Sequence, residues 1–177
     1  MELPQLRVSQ RVGVYVSGRG ELDTRLLRAA MVARGISVVR PVMSRSGELQ
    51  WLPDLMKRSH DRGGRLCCTR AGHRAVSGTT AVEIVLVPAL AVDTCGRRLG
   101  YRHDGYDEIL RQVGPTSLVL AAVYDDEVTD AAVEPVPEEP HGVRVDAAVT
   151  PSRVLYLARC PTPGDRRGET IPLREAR

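Results

Sequence analysis

The chain has 177 residues, 42% of them hydrophobic and 27% charged, which is the balance of one globular domain and not of a disordered chain. Its net charge of +3 comes from arginines interspersed with Asp and Glu, and only 3% of residues are aromatic. The basic stripe and stacking rings of a nucleic-acid binder are therefore missing, and no apolar run is long enough to span a bilayer.

No signal-peptide pattern opens the chain, so the expected setting is the cytoplasm, with Cys67, Cys68, Cys95 and Cys160 as reduced thiols. None of the four forms the C-x-x-C pair that zinc sites favour. Lys57 is the only lysine, and Phe is absent, so the core must be built from Val, Leu, Ala and Ile.

Residues 11–17 (R-V-G-V-Y-V-S) are rich in β-branched and aromatic types and read as a buried strand. A turn over Gly18, Arg19 and Gly20 follows. Asp23 or Thr24 then caps a helix predicted to run to about Arg34, with Leu26, Leu27, Ala30, Met31 and Ala33 as its apolar face and Gly35 as its stop. Residues 36–42 form a second predicted strand, ended by Pro41, and residues 49–52 a short third. Residues 53–81 lack periodicity and read as a loop-rich excursion.

Residues 83–90 (E-I-V-L-V-P-A-L) are the strongest strand, apolar enough for burial on both faces. A loop over 93–105 leads to a short helix over 106–113, with Ile109, Leu110 and Val113 facing inward. Residues 117–124 form another buried strand. Residues 143–150 alternate like a strand near an edge, residues 154–157 add a last short strand, and residues 161–177 read as a disordered tail. Strands alternating with helices predict a single-domain three-layer α/β/α fold over residues 1–160 with a largely parallel sheet. Ligands of such sheets bind beyond the carboxyl ends of the strands, which singles out the loops 17–21 and 91–105.

The second of these loops carries Gly96, Gly100 and Gly105, with Arg97, Arg98 and Arg102 adding positive charge and Asp104 and Asp107 able to hold a metal. Backbone N–H groups at a helix start attract anions, so the pattern fits a phosphate and Mg²⁺ site as well as an ordinary polar loop. From Val87 the chain reads V-P-A-L-A-V-D-T-C-G-R-R-L-G, followed by Tyr106 and Asp107. In register and without a gap, this resembles the signature of the 5-formyltetrahydrofolate cyclo-ligase family. Gly20-Glu21-Leu22-Asp23-Thr24 and the later Val145-Asp146-Ala147 and Thr150-Pro151 resemble flanking family segments in the right order.

The resemblance implies an enzyme that uses ATP and Mg²⁺ to convert 5-formyltetrahydrofolate, free or polyglutamated, to 5,10-methenyltetrahydrofolate as a monomer, without nucleic acid or membrane. It implies that Arg98, Leu99, Gly100, Tyr101, Arg102, His103, Asp104, Gly105 and Tyr106 wrap the ATP phosphates, with Arg98, Arg102 and Tyr106 closest to the chemistry. Tyr101, Arg102, His103, Asp104 and Gly105 would also face the folate, beside Val16 and Glu21, and Asp107 and Asp146 would hold Mg²⁺.

The chain departs from the family pattern in three places. Arg102 and Asp104 replace glycines of the phosphate loop, and Gly105 replaces a tyrosine. Residues 1–10 are too short for the Lys- and Arg-bearing helix with which members usually begin. A Glu-Pro segment expected before the strongest strand is replaced by Leu66-Cys67-Cys68-Thr69. Two alternatives therefore stand beside the enzyme: a member that binds folate or nucleotide without turnover, and an interaction protein docking through residues 53–81.

Overall fold

A computed structural model describes residues 11–44, 46, 49–54, 82–101, 105–138, 142–158, 160 and 175–176. In chain order the elements are β1 (Arg11–Val14), α1 (Arg25–Ala33), β2 (Ser37–Met43), β3 (Leu49–Pro53), β4 (Ile84–Pro88), β5 (Ala91–Asp93), β6 (Arg98–Leu99), α2 (Tyr106–Gln112), β7 (Leu118–Ala122), β8 (Val128–Thr129), β9 (Ala147–Val149), β10 (Val154–Tyr156) and β11 (Glu175–Ala176). Eight strands form one sheet in the order β11-β10-β9-β7-β4-β1-β2-β3, and β6-β5-β8 form a second, smaller sheet. Strands β9, β7, β4, β1 and β2 run parallel, while β3, β10 and β11 pair antiparallel to their neighbours. The expected α/β fold with a largely parallel sheet is therefore the observed one.

Burial explains the central strands. All five residues of β4 are buried, and Val85, Val87, Val12, Val14, Ala121 and Ala147 are fully inaccessible. Such uninterrupted apolar runs belong to parallel strands covered on both faces. From β1 the chain crosses through α1 to β2 on one side, whereas β4 lies on the other. A crevice opens at such a reversal of strand order, beyond the carboxyl ends of the strands. The loops after β1 and β4 meet there.

Helix α1 ends as expected. Gly35 adopts φ +76°, its N–H donates to the Val32 carbonyl (2.9 Å) and the Ile36 N–H donates to the Met31 carbonyl (3.1 Å). This double closure satisfies carbonyls the helix end would otherwise leave unpaired. Its start divides two roles between neighbours. The Thr24 hydroxyl donates to the Tyr15 carbonyl (3.0 Å), tying the helix to β1, while Asp23 Oδ1 accepts from the Arg25 N–H (2.9 Å). The Arg25 guanidinium beside Asp23 holds its carboxyl down at about 2. A depressed carboxylate pKa contributes stability that is complete above the unfolded value and is lost as pH falls through the folded one. Asp23→Ala is therefore expected to cost about 0.5–1 kcal/mol at neutral pH. Its deficit against the parent chain in denaturant unfolding should close as pH approaches about 2. A deficit that does not change with pH would remove the carboxylate from the explanation.

Several expectations are corrected. The inward face of α1 is Thr24, Leu27, Arg28 and Met31, not one containing Leu26 and Ala33, which are exposed. Arg28 turns inward because Asp54, just after β3, meets it at 2.7 Å, with both side chains almost fully buried. Strand β2 runs through Pro41 because its pairing to β1 stops at Val39. Beyond that point only β3 is a partner, and a missing N–H on the free side costs nothing. The loop expected over 93–105 contains the β5–β6 hairpin, in which Ala91 faces Leu99 and Val92 faces Arg98. The late alternating segment yields β9, which is interior because β10 and then β11 cover its outer edge. Glu175 and Ala176, within the stretch expected to be a disordered tail, pair with β10, and the rest of that stretch lies outside the described residues.

Cys95 and Cys160 are not free thiols. They form a disulfide with Cα atoms 5.1 Å apart. The turn after β5 and the segment after β10 are drawn together by the Ala158 N–H donating to the Thr94 carbonyl (3.1 Å). Cys67, Cys68 and most of the 53–81 excursion lie outside the described residues.

Candidate functional site

The site is built on the turn that follows β5, and Asp93 organises that turn. Its side chain is completely buried. Oδ1 accepts from the N–H groups of Cys95 (2.9 Å) and Arg97 (3.0 Å), while Oδ2 accepts from the Val136 N–H (3.1 Å) and Arg97 Nη1 (3.2 Å). Gly96 completes the turn at φ +80°. Its carbonyl accepts from the Val145 N–H (2.9 Å), and a Cβ placed there would lie 2.5 Å from the Val145 carbonyl oxygen. Only glycine permits both that φ and that approach.

The turn aims two arginines at a cleft of about 380 Å³. The Arg98 side chain is only 2% exposed, and its Nη1 donates to the carbonyl of Pro88, the last residue of β4 (2.9 Å). Its Nη2 pairs with Asp107 Oδ1 on the first turn of α2. Gly100 lies directly over this guanidinium, where any Cβ would come within 2.7 Å of it. Arg98 therefore locks the hairpin, β4 and α2 together and meets the cleft from below. Arg97 spans from Asp93 to Glu138, whose Oε2 is 3.6 Å from Nε. Glu138 Oε1 in turn accepts from Arg144 Nε (3.1 Å) and Nη2 (2.8 Å), and Arg144 Nη1 donates to the Cys160 carbonyl (2.6 Å). The Arg144 bonds and the nearby Arg97 charge hold the Glu138 carboxyl below its usual range.

The first loop closes the other end. The Gly18 N–H donates to Glu21 Oε2 (2.6 Å), and the Tyr15 hydroxyl donates to the Leu22 carbonyl (2.6 Å). Tyr101 lines the arginine cleft and also reaches this loop, its hydroxyl 3.7 Å from where a Cβ of Gly20 would stand. Burial and then the charges of Glu21 and Glu127 push the Tyr101 hydroxyl pKa up. Burial and Glu21 likewise raise that of Tyr15. Val16 stands exposed on the loop after β1.

The structure brings Tyr101 near Glu21 at one end, and sets Arg98, Leu99, Gly100, Tyr101 and Asp107 around the cleft. Gly105 takes φ +78° at the head of α2, a conformation the tyrosine of the family pattern would adopt only under strain. Tyr106 is buried in the core and offers no face to the cleft. Arg102, His103 and Asp104 lie outside the described residues.

Asp146 is not brought to Asp107. The β7–β9 register sets it beside Val119, whose N–H donates to its Oδ2 (2.8 Å). That is three residues, roughly 10 Å, short of the carboxyl end of β7. The carboxylate that shares the cleft with Asp107 is Glu138. The residues alone counted Arg97 among the loop's positive charges and Asp93 within the motif without giving either this role, and they did not disclose Arg144. Asp93 had a local signal, since D-x-x-G is the spacing of a side chain accepting from its own turn. Arg144 had none, because it enters the cleft from another strand connection.

Fold and site define a class of protein: an α/β domain with a guanidinium-lined cleft beyond its parallel strands. A sequence model of the 5-formyltetrahydrofolate cyclo-ligase family matches residues 1–151. The chain belongs to that family, whose members are ligases. It is 42% identical over 165 residues to a 5-formyltetrahydrofolate cyclo-ligase of Mycolicibacterium smegmatis, covering 89% of this chain and 82% of the relative. A mitochondrial 5-formyltetrahydrofolate cyclo-ligase of Arabidopsis thaliana is 32% identical over 84 residues, covering 43% of this chain and 30% of that protein. The fold is that of the 5,10-methenyltetrahydrofolate synthetase of Aquifex aeolicus, with a TM-score of 0.65 at 22% identity over 97% of this chain and 79% of that one. The synthetase of Mycoplasma pneumoniae gives a TM-score of 0.57 at 14% identity over 82% and 74% of the two chains.

Proposed function

We propose that this chain closes 5-formyltetrahydrofolate to 5,10-methenyltetrahydrofolate at the expense of ATP. The observation that supports this reading is the position of Tyr101. It belongs to the arginine cleft and also stands beside the loop of Glu21, so an anionic nucleotide and a heterocycle held by a carboxylate would meet at one ring. The terminal phosphoryl group is transferred to the formyl oxygen. N10 of the folate then attacks the formyl carbon and gives up its proton, and the C–O bond breaks to release phosphate. Such transfers need positioning and charge stabilisation more than covalent help from the protein.

In this reading Arg98 fixes the hairpin, and the backbone of Leu99, Gly100 and Gly105 approaches the phosphates. Arg102, His103 and Asp104, which lie outside the described residues, would by the family resemblance contact both the nucleotide and the folate. Glu21 holds the pterin end, with Val16 and Tyr101 packing against it. Tyr106 supports the head of α2 from the core side. Asp107 fits a cation: its side chain is 46% exposed, Oδ1 is taken by Arg98, and Oδ2 has no partner among the described residues. A hard ion that takes one carboxylate and phosphate oxygens suits that donor. Bound there, Mg²⁺ would neutralise charge that develops on the transferring phosphoryl group.

The test is the near-ultraviolet absorbance of the methenyl product, followed with purified protein, 5-formyltetrahydrofolate and MgATP. An ATP-dependent rise is expected, and Asp107→Ala should reduce its rate by about a hundredfold. Folded protein that binds both ligands without forming product would replace the enzyme by a binding protein, and one that binds neither would end the reading.

A further inference from the structure

Arg144 approaches the cleft from the strand connection before β9 and is only 21% exposed. A guanidinium carries five N–H donors. Three are used: Nε and Nη2 on Glu138, and Nη1 on the Cys160 carbonyl. The remaining two have no partner among the described residues. A planar fork with donors to spare, set in a cleft with two further arginines, is the arrangement that binds phosphate oxygens. The backing of this fork is unusual in being covalent at one remove. The Cys160 carbonyl that accepts from Nη1 belongs to the residue bonded to Cys95, and Cys95 sits in the Asp93–Arg97 turn that aims Arg97 and Arg98. The disulfide therefore joins the turn that carries Arg97 and Arg98 to the residue whose carbonyl backs Arg144, 65 residues away in sequence.

We infer that Arg144 is a further phosphate-binding residue of the cleft and that the Cys95–Cys160 disulfide positions it. This rests on the reading of the cleft as a nucleotide site. Glu138 holds the guanidinium in place when no anion is bound, and the disulfide keeps the Cys160 carbonyl behind it in both conditions. Breaking the S–S bond frees residue 160 to move away, and the fork loses one of its two anchors. The folate end is held by Gly18 and Glu21 on a different loop, and the bonds of this brace do not include that loop.

The test is calorimetric binding of MgATP and, separately, of 5-formyltetrahydrofolate to the full chain. Arg144→Met should weaken MgATP binding about tenfold or more, and leave the folate affinity unchanged. Cys95→Ser with Cys160→Ser should weaken MgATP binding in the parent chain and add nothing in an Arg144→Met background. If the serine variant fails to fold, dithiothreitol on folded parent protein takes its place. It supplies two electrons, cleaves the disulfide to two thiols and closes to its own cyclic disulfide, with thermal melting confirming that the chain stays folded. Parent-like MgATP binding by Arg144→Met would overturn the inference, as would a disulfide effect of equal size with and without Arg144. A parent chain that binds folate but no nucleotide would overturn the nucleotide reading of the cleft together with this inference.

Discussion

Replacing Asp93 by alanine is expected to destabilise the protein by about 3–5 kcal/mol in denaturant unfolding, the range for removing one member of a buried ion pair. The carboxylate is fully buried and serves four donors at once: three backbone N–H groups, of Cys95, Arg97 and Val136, and the Arg97 guanidinium. Alanine leaves all four without their acceptor, and each buried backbone donor left unmade costs about 1–3 kcal/mol before relaxation. Arg97 is only partly relieved by Glu138 at 3.6 Å. Asp93→Asn keeps the shape and one acceptor oxygen but turns an amide N–H₂ toward other donors, so its loss should fall between those of the parent and alanine. The same variants should weaken MgATP binding, because the turn they loosen aims Arg97 and Arg98. A loss under about 1 kcal/mol for alanine would show that water replaces the carboxylate, which complete burial argues against.

The second large effect is expected at Gly96. Alanine there must hold φ near +80°, a cost of about 1–2 kcal/mol for a residue with a Cβ. It must also clear a carbonyl oxygen at 2.5 Å, which means displacing the Val145 backbone and stretching its N–H bond to the Gly96 carbonyl. About 3 kcal/mol or more is the expected total. Gly35 supplies the control, with φ +76° and nothing within 4 Å of a Cβ. Gly35→Ala should therefore carry the conformational cost alone. Equal losses at the two glycines, measured by denaturant unfolding, would mean that the close approach at Gly96 relaxes freely.

Much of the site's ground plan was legible in the residues. The run from Val87 to Gly100 carried the family resemblance, and the β4 strand and the start of α2 stand where hydrophobic patterning put them. The Asp23 contact at the start of α1 and the Gly35 stop at its end depend on partners within a few residues, which is why local chemistry disclosed them. The misreadings share the opposite property. Arg28 faces inward only because Asp54 waits across a strand hairpin, and Pro41 continues β2 only because β1 has already ended. Cys95 and Cys160 carry no spacing signal, since 65 residues of chain separate them.

The metal assignment divides along the same line. Asp107 has its place at the head of a helix that its own sequence starts, where its carboxylate pairs with Arg98. Asp146 looked like an equivalent partner in sequence, yet the strand register commits it to Val119, while Glu138 and Arg144 reach the cleft from an irregular connection. Short-range interactions determine strands, caps and turn glycines because both partners lie within one window of the chain. Which arginines, carboxylates and cysteines share a cleft is decided by strand order and register, and those follow from burial across the whole sheet.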